Sequence, residues 1–134
     1  IRDHAVFERG QASICVDDLS NLLAKHERPT EILVASTTCD LLGYAAFTFD
    51  FSLWRGHRWA HLDCLFVREN ARGKAVGAAL LEHAKEIACS AGADRLEGQT
   101  PAWNARGIAF YKREGASIVG KIRFHFGLQS PVCR

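Results

Sequence analysis

The chain predicts an α/β fold in which a mixed, largely antiparallel central sheet is flanked by helices. Three features carry this expectation. Residues 31–67 hold three β-rich runs separated by short turns, the pattern of a local meander. Residues 62–81 pass from an apolar strand, through a basic glycine-bearing turn, straight into an amphipathic helix. Beyond that helix, residues 95–100 supply a short strand that the crossover brings parallel to the strand before it.

The opening residues read as two short helices. Ala5, Phe7, Ala12 and Ile14, then Leu19, Leu22 and Leu23, fall at helix-like separations and stop before Pro29. Glu31 to Ser36 carries Ile32-Leu33-Val34, a turn follows at Thr38-Cys39-Asp40, and Leu41 to Phe51 is a long aromatic strand, so the two runs form an antiparallel hairpin. Arg55-Gly56-His57 makes the next turn and Trp59 to Val67 the third strand. From Ala75 to Ala91 the apolar positions 76, 79, 80, 84, 87, 88 and 91 form one stripe, with Glu82, Lys85 and Glu86 opposite, and Gly92 ends the helix. Arg95 to Thr100 is the parallel strand, and Asn104 to Glu114 a helix closed by Gly115. Ser117 to Leu128, with Ile118-Val119 and then Ile122, Phe124 and Phe126 in alternation, predicts one or two final strands.

At 134 residues the chain is expected to form a single domain spanning 1–134, large enough to bury about two thirds of its unfolded surface. A formal charge of +2, with Lys and Arg interleaved among Asp and Glu, argues against a polyanion-binding surface, so no nucleic-acid partner is expected. Arg68, Arg72 and Lys74 nevertheless concentrate charge at one turn. Five cysteines, at 15, 39, 64, 89 and 133, make an odd set without a C-x-x-C pair, which disfavours a disulfide framework and a zinc site and suits a reducing cytoplasm. The six histidines lack metal-ligand spacing, so no metal is expected. No apolar run approaches the roughly 20 residues of a membrane span, and no membrane partner is expected.

The turn Arg72-Gly73-Lys74-Ala75-Val76-Gly77-Ala78 has the makings of an anion cradle. The first amides of a helix lack internal partners, the helix dipole adds partial positive charge, and glycines admit a phosphate close to the backbone. The guest expected is a pyrophosphate. Neither the P-loop spacing nor Gly-x-Gly-x-x-Gly is present.

Arg72 to Ala78 resembles the pyrophosphate loop of the GNAT superfamily of acetyl-CoA-dependent N-acetyltransferases, and Asn104 with Phe110-Tyr111-Lys112-Arg113-Glu114-Gly115-Ala116 resembles its second motif. Ala102-Trp103-Asn104, Phe47-Thr48-Phe49-Asp50 and Trp54-Arg55-Gly56 are similar to the diamine (spermidine/spermine) acetyltransferase branch, and the likeness runs from about Ile1 to Phe126. The resemblance implies acetyl-CoA as acyl donor and direct attack by a small-molecule primary amine in a ternary complex. The alternatives are acetylation of protein or peptide amines, and a non-catalytic acyl-CoA-binding module. In the loop the family's middle glycine is Ala75, tolerable if that position takes right-handed helical dihedrals. The family's usual first strand is missing ahead of the first helix, which would leave a sheet edge open and favours a homodimer.

An alkylammonium of pKa ~10.4 is neutral only about once per thousand molecules near neutral pH, so transfer needs a base. Asp63 is the candidate: residues 61, 63, 65 and 67 of a regular strand share a face, and the diamine branch carries an acidic residue here. By resemblance, Tyr111 is the general acid for the leaving thiolate. The backbone of Leu65, Phe66 and Val67 would hold the pantetheine arm and polarise the thioester carbonyl. Gly73, Lys74, Ala75, Val76, Gly77, Ala78 and Arg72 would bind the pyrophosphate, and Asn104 would secure the arm or cap its helix. Phe7, Glu8 and Trp54 match the branch's contacts to a cationic acceptor. Cys64 stands in place of an acidic neighbour of the base and Arg123 near the branch's acidic residues, which favours a smaller amine than a polyamine. Cys64 with His61 also invites reading as nucleophile and base, but in a regular strand an odd separation puts them on opposite faces.

Overall fold

A computed structural model describes residues 1–128. Contacts divide the chain into two units, Ile1–Pro101 and Ala102–Arg134. The first unit contains α1 (Arg2–Phe7), α2 (Val16–Ala24), β1 (Glu31–Ser36), β2 (Leu41–Ser52), β3 (His57–Val67), a 3-10 turn at Glu69–Ala71, α3 (Val76–Ser90) and β4 (Leu96–Gly98). The second contains α4 (Ala105–Arg113). The sheet order is β1-β2-β3-β4, with β1, β2 and β3 antiparallel in succession and β4 parallel to β3. This is the mixed, largely antiparallel sheet that the sequence predicts.

Alternation along β2 divides the two faces of the sheet. Gly43, Ala45 and Phe47 are buried, while Tyr44, Ala46 and Thr48 are half-buried on the other side. The buried face meets α3, where Ala45, Phe47, Ala60 and Leu62 form the core with Leu80, Leu81, Ala84 and Ala88. α3 thus buries Leu80, Ala84 and Ala88 of its apolar stripe, with Leu81 beside them, while Ala79 of the same stripe is exposed. Gly43 is fixed by the close approach of β3, because a Cβ there would stand 2.6 Å from the Phe66 carbonyl oxygen. α2 begins on an unusual cap: the Cys15 Sγ accepts from the Asp18 amide at 3.4 Å, and the Asp18 carboxylate accepts from the Cys15 amide at 3.1 Å.

β3 is not a regular strand. Ala46 pairs with Cys64 and Phe47 with Leu62, so Asp63 is an extra residue in the ladder, a β-bulge. The extra residue reverses the parity of everything after it. Ala60 and Leu62 share the core face with Leu65 and Val67, whereas His61, Cys64 and Phe66 share the Tyr44 face. The expectation that 61, 63, 65 and 67 share one face is therefore corrected, and so is the reason given for separating Cys64 from His61.

A second correction concerns residues 117–128, which have no regular secondary structure rather than final strands. Ile118, Val119, Ile122, Phe124, Phe126 and Leu128 are exposed. Alternation makes a strand only when a neighbour accepts its backbone hydrogen bonds, and among the described residues the ladders involve β1 to β4 alone. Cys133 lies outside the described residues, and the cysteines at 15, 39, 64 and 89 are free thiols.

Candidate active site

Where α1 lies over the Tyr44 face of the sheet, it builds a polar and aromatic cluster. The His4 ring stacks on Phe66, centroids 5.1 Å apart and planes at 20°. Its Nδ1 is 2.7 Å from the Tyr44 hydroxyl and its Nε2 is 3.4 Å from Glu8 Oε1. Phe7 packs at 6.2 Å from Phe66, and the Arg72 guanidinium sits 5.2 Å from the Phe7 ring centre and 5.6 Å from that of Phe66. Arg72 also donates from Nε to the Val67 carbonyl at 2.9 Å, which ties the end of β3 to the turn after it. At the bulge, the Cys64 thiol donates to Asp63 Oδ2 at 3.6 Å, and the Asp63 side chain is exposed.

Burial governs the titration of this cluster. It lowers the His4 pKa against the opposing pull of Glu8, so the imidazole is neutral near pH 7. Burial, with Cys64 alongside, raises the Tyr44 phenol. Burial raises the Cys64 thiol as well, which leaves it a poor nucleophile even though it shares a face with His61.

A second feature begins where the first ends. β4 pairs only with Ala60, His61 and Leu62, so among the described residues Asp63 to Val67 have no strand neighbour on that side. A bent turn follows, with Gly73 at φ 75° and Ala75 at φ 59°, ψ 10°, both left-handed. α3 then starts without a side-chain cap and without an acidic residue in its first turn. A main-chain edge thus runs into a helix N-terminus whose leading amides are not capped by the chain's own side chains. Arg72 and Val76 to Ala78 are part-exposed, while Gly73, Lys74 and Ala75 are exposed. Ala75 therefore lacks the right-handed dihedrals under which its methyl group would be easily tolerated.

In the second unit, Asn104 caps α4, its Oδ1 accepting from the Gly107 amide at 3.0 Å. Tyr111 lies half-buried on α4, its ring 5.2 Å from Phe110 in an edge arrangement. Within the first unit, the sequence-derived residues Phe7, Glu8 and Asp63 all border the cluster of His4, Tyr44 and Phe66. Trp54 does not join them: it is fully exposed at the β2–β3 turn, and the hairpin from Tyr44 to that turn is roughly 25 Å long at about 3.3 Å per residue. Sequence reasoning missed His4 and Tyr44. One signal was available, since the apolar alternation 60, 62 slips to 65, 67 across Asp63.

Residues 4–116 match the family model of the acetyltransferase (GNAT) family. The chain is 30% identical over 76 residues to a thialysine N-epsilon-acetyltransferase of Bos taurus, covering 57% of this chain and 44% of that protein. It is 33% identical over 92 residues to an L-methionine sulfoximine/L-methionine sulfone acetyltransferase of Pseudomonas aeruginosa, covering 68% of this chain and 53% of that protein. The chain therefore spans about half the length of these curated relatives. Among solved structures, an integron cassette protein from the mobile metagenome of V. cholerae superposes with a TM-score of 0.74 at 27% identity, covering 93% of this chain and 82% of that one. An aminoglycoside acetyltransferase from an uncultured soil metagenomic sample superposes at 0.79, covering 96% and 84%, and at 17% identity it speaks for the fold alone.

Proposed function

We propose that this chain, which belongs to the acetyltransferase (GNAT) family, transfers the acetyl group of acetyl-CoA to a primary amine of a small molecule by direct attack in a ternary complex. The observation that carries this reading is the continuous edge of β3 beyond Leu62, leading through the left-handed turn to the uncapped start of α3. An elongated guest with a diphosphate at one end fits that edge: the backbone of Leu65, Phe66 and Val67 would take the arm, and residues 72–78 the charge. Acetyl-CoA, when bound, supplies an acyl carbon open to attack by the amine.

The chain's own groups supply the rest. Asp63, exposed at the bulge, draws the acceptor ammonium and receives its proton directly or through water. Phe7 and Glu8 lie in the same cluster and would wall the cationic chain. Tyr111 would protonate the departing thiolate. Relatives named for thialysine and for methionine sulfone support an acceptor of amino-acid size. A cytoplasmic location and a homodimer belong to the same reading. Among the described residues no helix is long and apolar enough to cross a membrane.

Acetyl-CoA is expected to raise the melting temperature of the purified protein. Thioester release is then measured across a panel of thialysine, L-methionine sulfone, spermidine and a lysine peptide. Tyr111→Phe should keep the thermal shift and lose about 10²–10⁴-fold in kcat. Wild-type turnover in that variant would remove Tyr111 from its role. Release with the peptide alone would move the acceptor class to proteins, and release with none would leave a binding module.

A further inference from the structure

Glu8, His4 and Tyr44 are joined in a line that packing alone does not call for. A phenylalanine at position 44 would fill the same half-buried space, yet a hydroxyl is there, 2.7 Å from an imidazole whose other nitrogen faces a carboxylate at 3.4 Å. The line ends beside the Asp63 bulge, since Tyr44 interacts with both Cys64 and Asp63. A hydroxyl, a base and a carboxylate that orients the base make the arrangement by which proteins move a proton at a reacting atom.

Resting on the transfer reading above, we propose that Glu8, His4 and Tyr44 form a proton relay for the acceptor nitrogen, distinct from Asp63. As the nitrogen bonds to the acyl carbon, its N–H bond becomes far more acidic. That proton passes to Tyr44 Oη, the N–H electron pair stays on nitrogen, and the proton already on Tyr44 passes to His4 Nδ1. The tyrosine is unchanged overall. The imidazolium formed lies against the Glu8 carboxylate, which is 43% exposed and opens the way for the proton to reach solvent. Tyr44 is the member that would take the substrate's proton, His4 is a positioning residue acting through it, and Glu8 orients the imidazole besides walling the acceptor chain.

Charge around the imidazole suits both states. Glu8 faces it from the end of α1, Asp63 from β3, Tyr44 from β2, and the Ile1 amino group from the start of its own helix, while the Arg72 guanidinium sits 5.6 Å from the centre of the Phe66 ring on which the imidazole stacks. Burial keeps the resting imidazole neutral and so ready to accept, and the two carboxylates favour the cation once it forms.

The test is the pH profile of kcat/KM for the full chain, with acetyl-CoA and the best acceptor of the panel. Wild type should show an acid limb with an apparent pKa below the ordinary histidine value of about 6.5. Tyr44→Phe and His4→Asn should each lose about 100-fold in kcat, flatten that limb and keep the acetyl-CoA thermal shift; the double variant should be no worse than either single one. Variants within about twofold of wild type that retain the acid limb overturn the relay and leave the transfer reading standing. A wild type that turns over no acceptor overturns both. If His4→Asn fails to fold, Tyr44→Phe decides the matter by the same limb.

Discussion

Ala75 shows what one methyl group does at a turn. Its backbone is left-handed, φ 59° and ψ 10°, at the point where the chain swings from the sheet into α3. For a residue with a Cβ that conformation costs about 1–2 kcal/mol. Glycine would relieve the strain while loosening the unfolded chain by about 0.4–1 kcal/mol, so the strain wins by a narrow margin. Ala75→Gly is expected to raise stability by about 0.5–1 kcal/mol, a rise of roughly 2–4 °C in Tm by calorimetry. If residues 73–78 take the diphosphate as proposed, acetyl-CoA should bind the variant at least as tightly, since the Ala75 methyl group is gone. A lower Tm for the variant would sink the strain account. The sequence displayed the alanine in place of a glycine but not its φ, which the geometry of the turn imposes.

Between elements, the long β2–β3 hairpin is held to the segment entering β4 by an ion pair. Arg55 donates from Nε and Nη2 to both Asp94 carboxylate oxygens, each at 3.0 Å, and its Nη1 lies 3.7 Å from Glu97. The Arg55 hydrogen bonds hold the Asp94 carboxyl below the usual carboxylate range. A folded pKa below the unfolded one means that the contribution is complete above the unfolded value of about 3.9 and disappears as pH falls through the folded value. Asp94→Asn should therefore lower Tm at pH 6 and lose less of its Tm than wild type does on acidification below pH ~4. Parallel Tm–pH curves for the two proteins would show that the pair contributes nothing. The turn residues Arg55 and Gly56 were legible in the sequence; their partner Asp94, in the turn after α3, was not, because nothing local links positions 39 residues apart.

At the scale of the whole sheet, the outer edge of β1 among the described residues is the feature with the largest consequence. β1 is the outer strand of the sheet, and among the described residues no strand pairs with its far side. Such an edge offers a row of backbone donors and acceptors to a second copy of the chain. Val34 on that strand is exposed. Sedimentation equilibrium at micromolar concentration is expected to give a dimer mass for wild type and a monomer mass for Val34→Lys, since an edge charge opposes pairing. A monomeric wild type would remove the dimer from the proposal.

What the sequence determined by itself is whatever local periodicity and turn chemistry encode: the meander, α3 with its apolar stripe, the parallel β4, α4 with Asn104 at its start, and the basic turn at residues 72–78. These depend on neighbours a few residues away. The tertiary structure alone decided which faces meet. One extra residue at Asp63 reverses the side-chain parity of Cys64 to Val67, and alternation read along a single strand is blind to a bulge that exists only against its partner. It decided likewise that His4 meets Tyr44 across 40 positions, that Trp54 stands at the hairpin's far end, and that the apolar alternation of residues 117–128 makes no strand. Each depends on which element lies alongside, and pairing between distant segments follows from the packing of the whole chain.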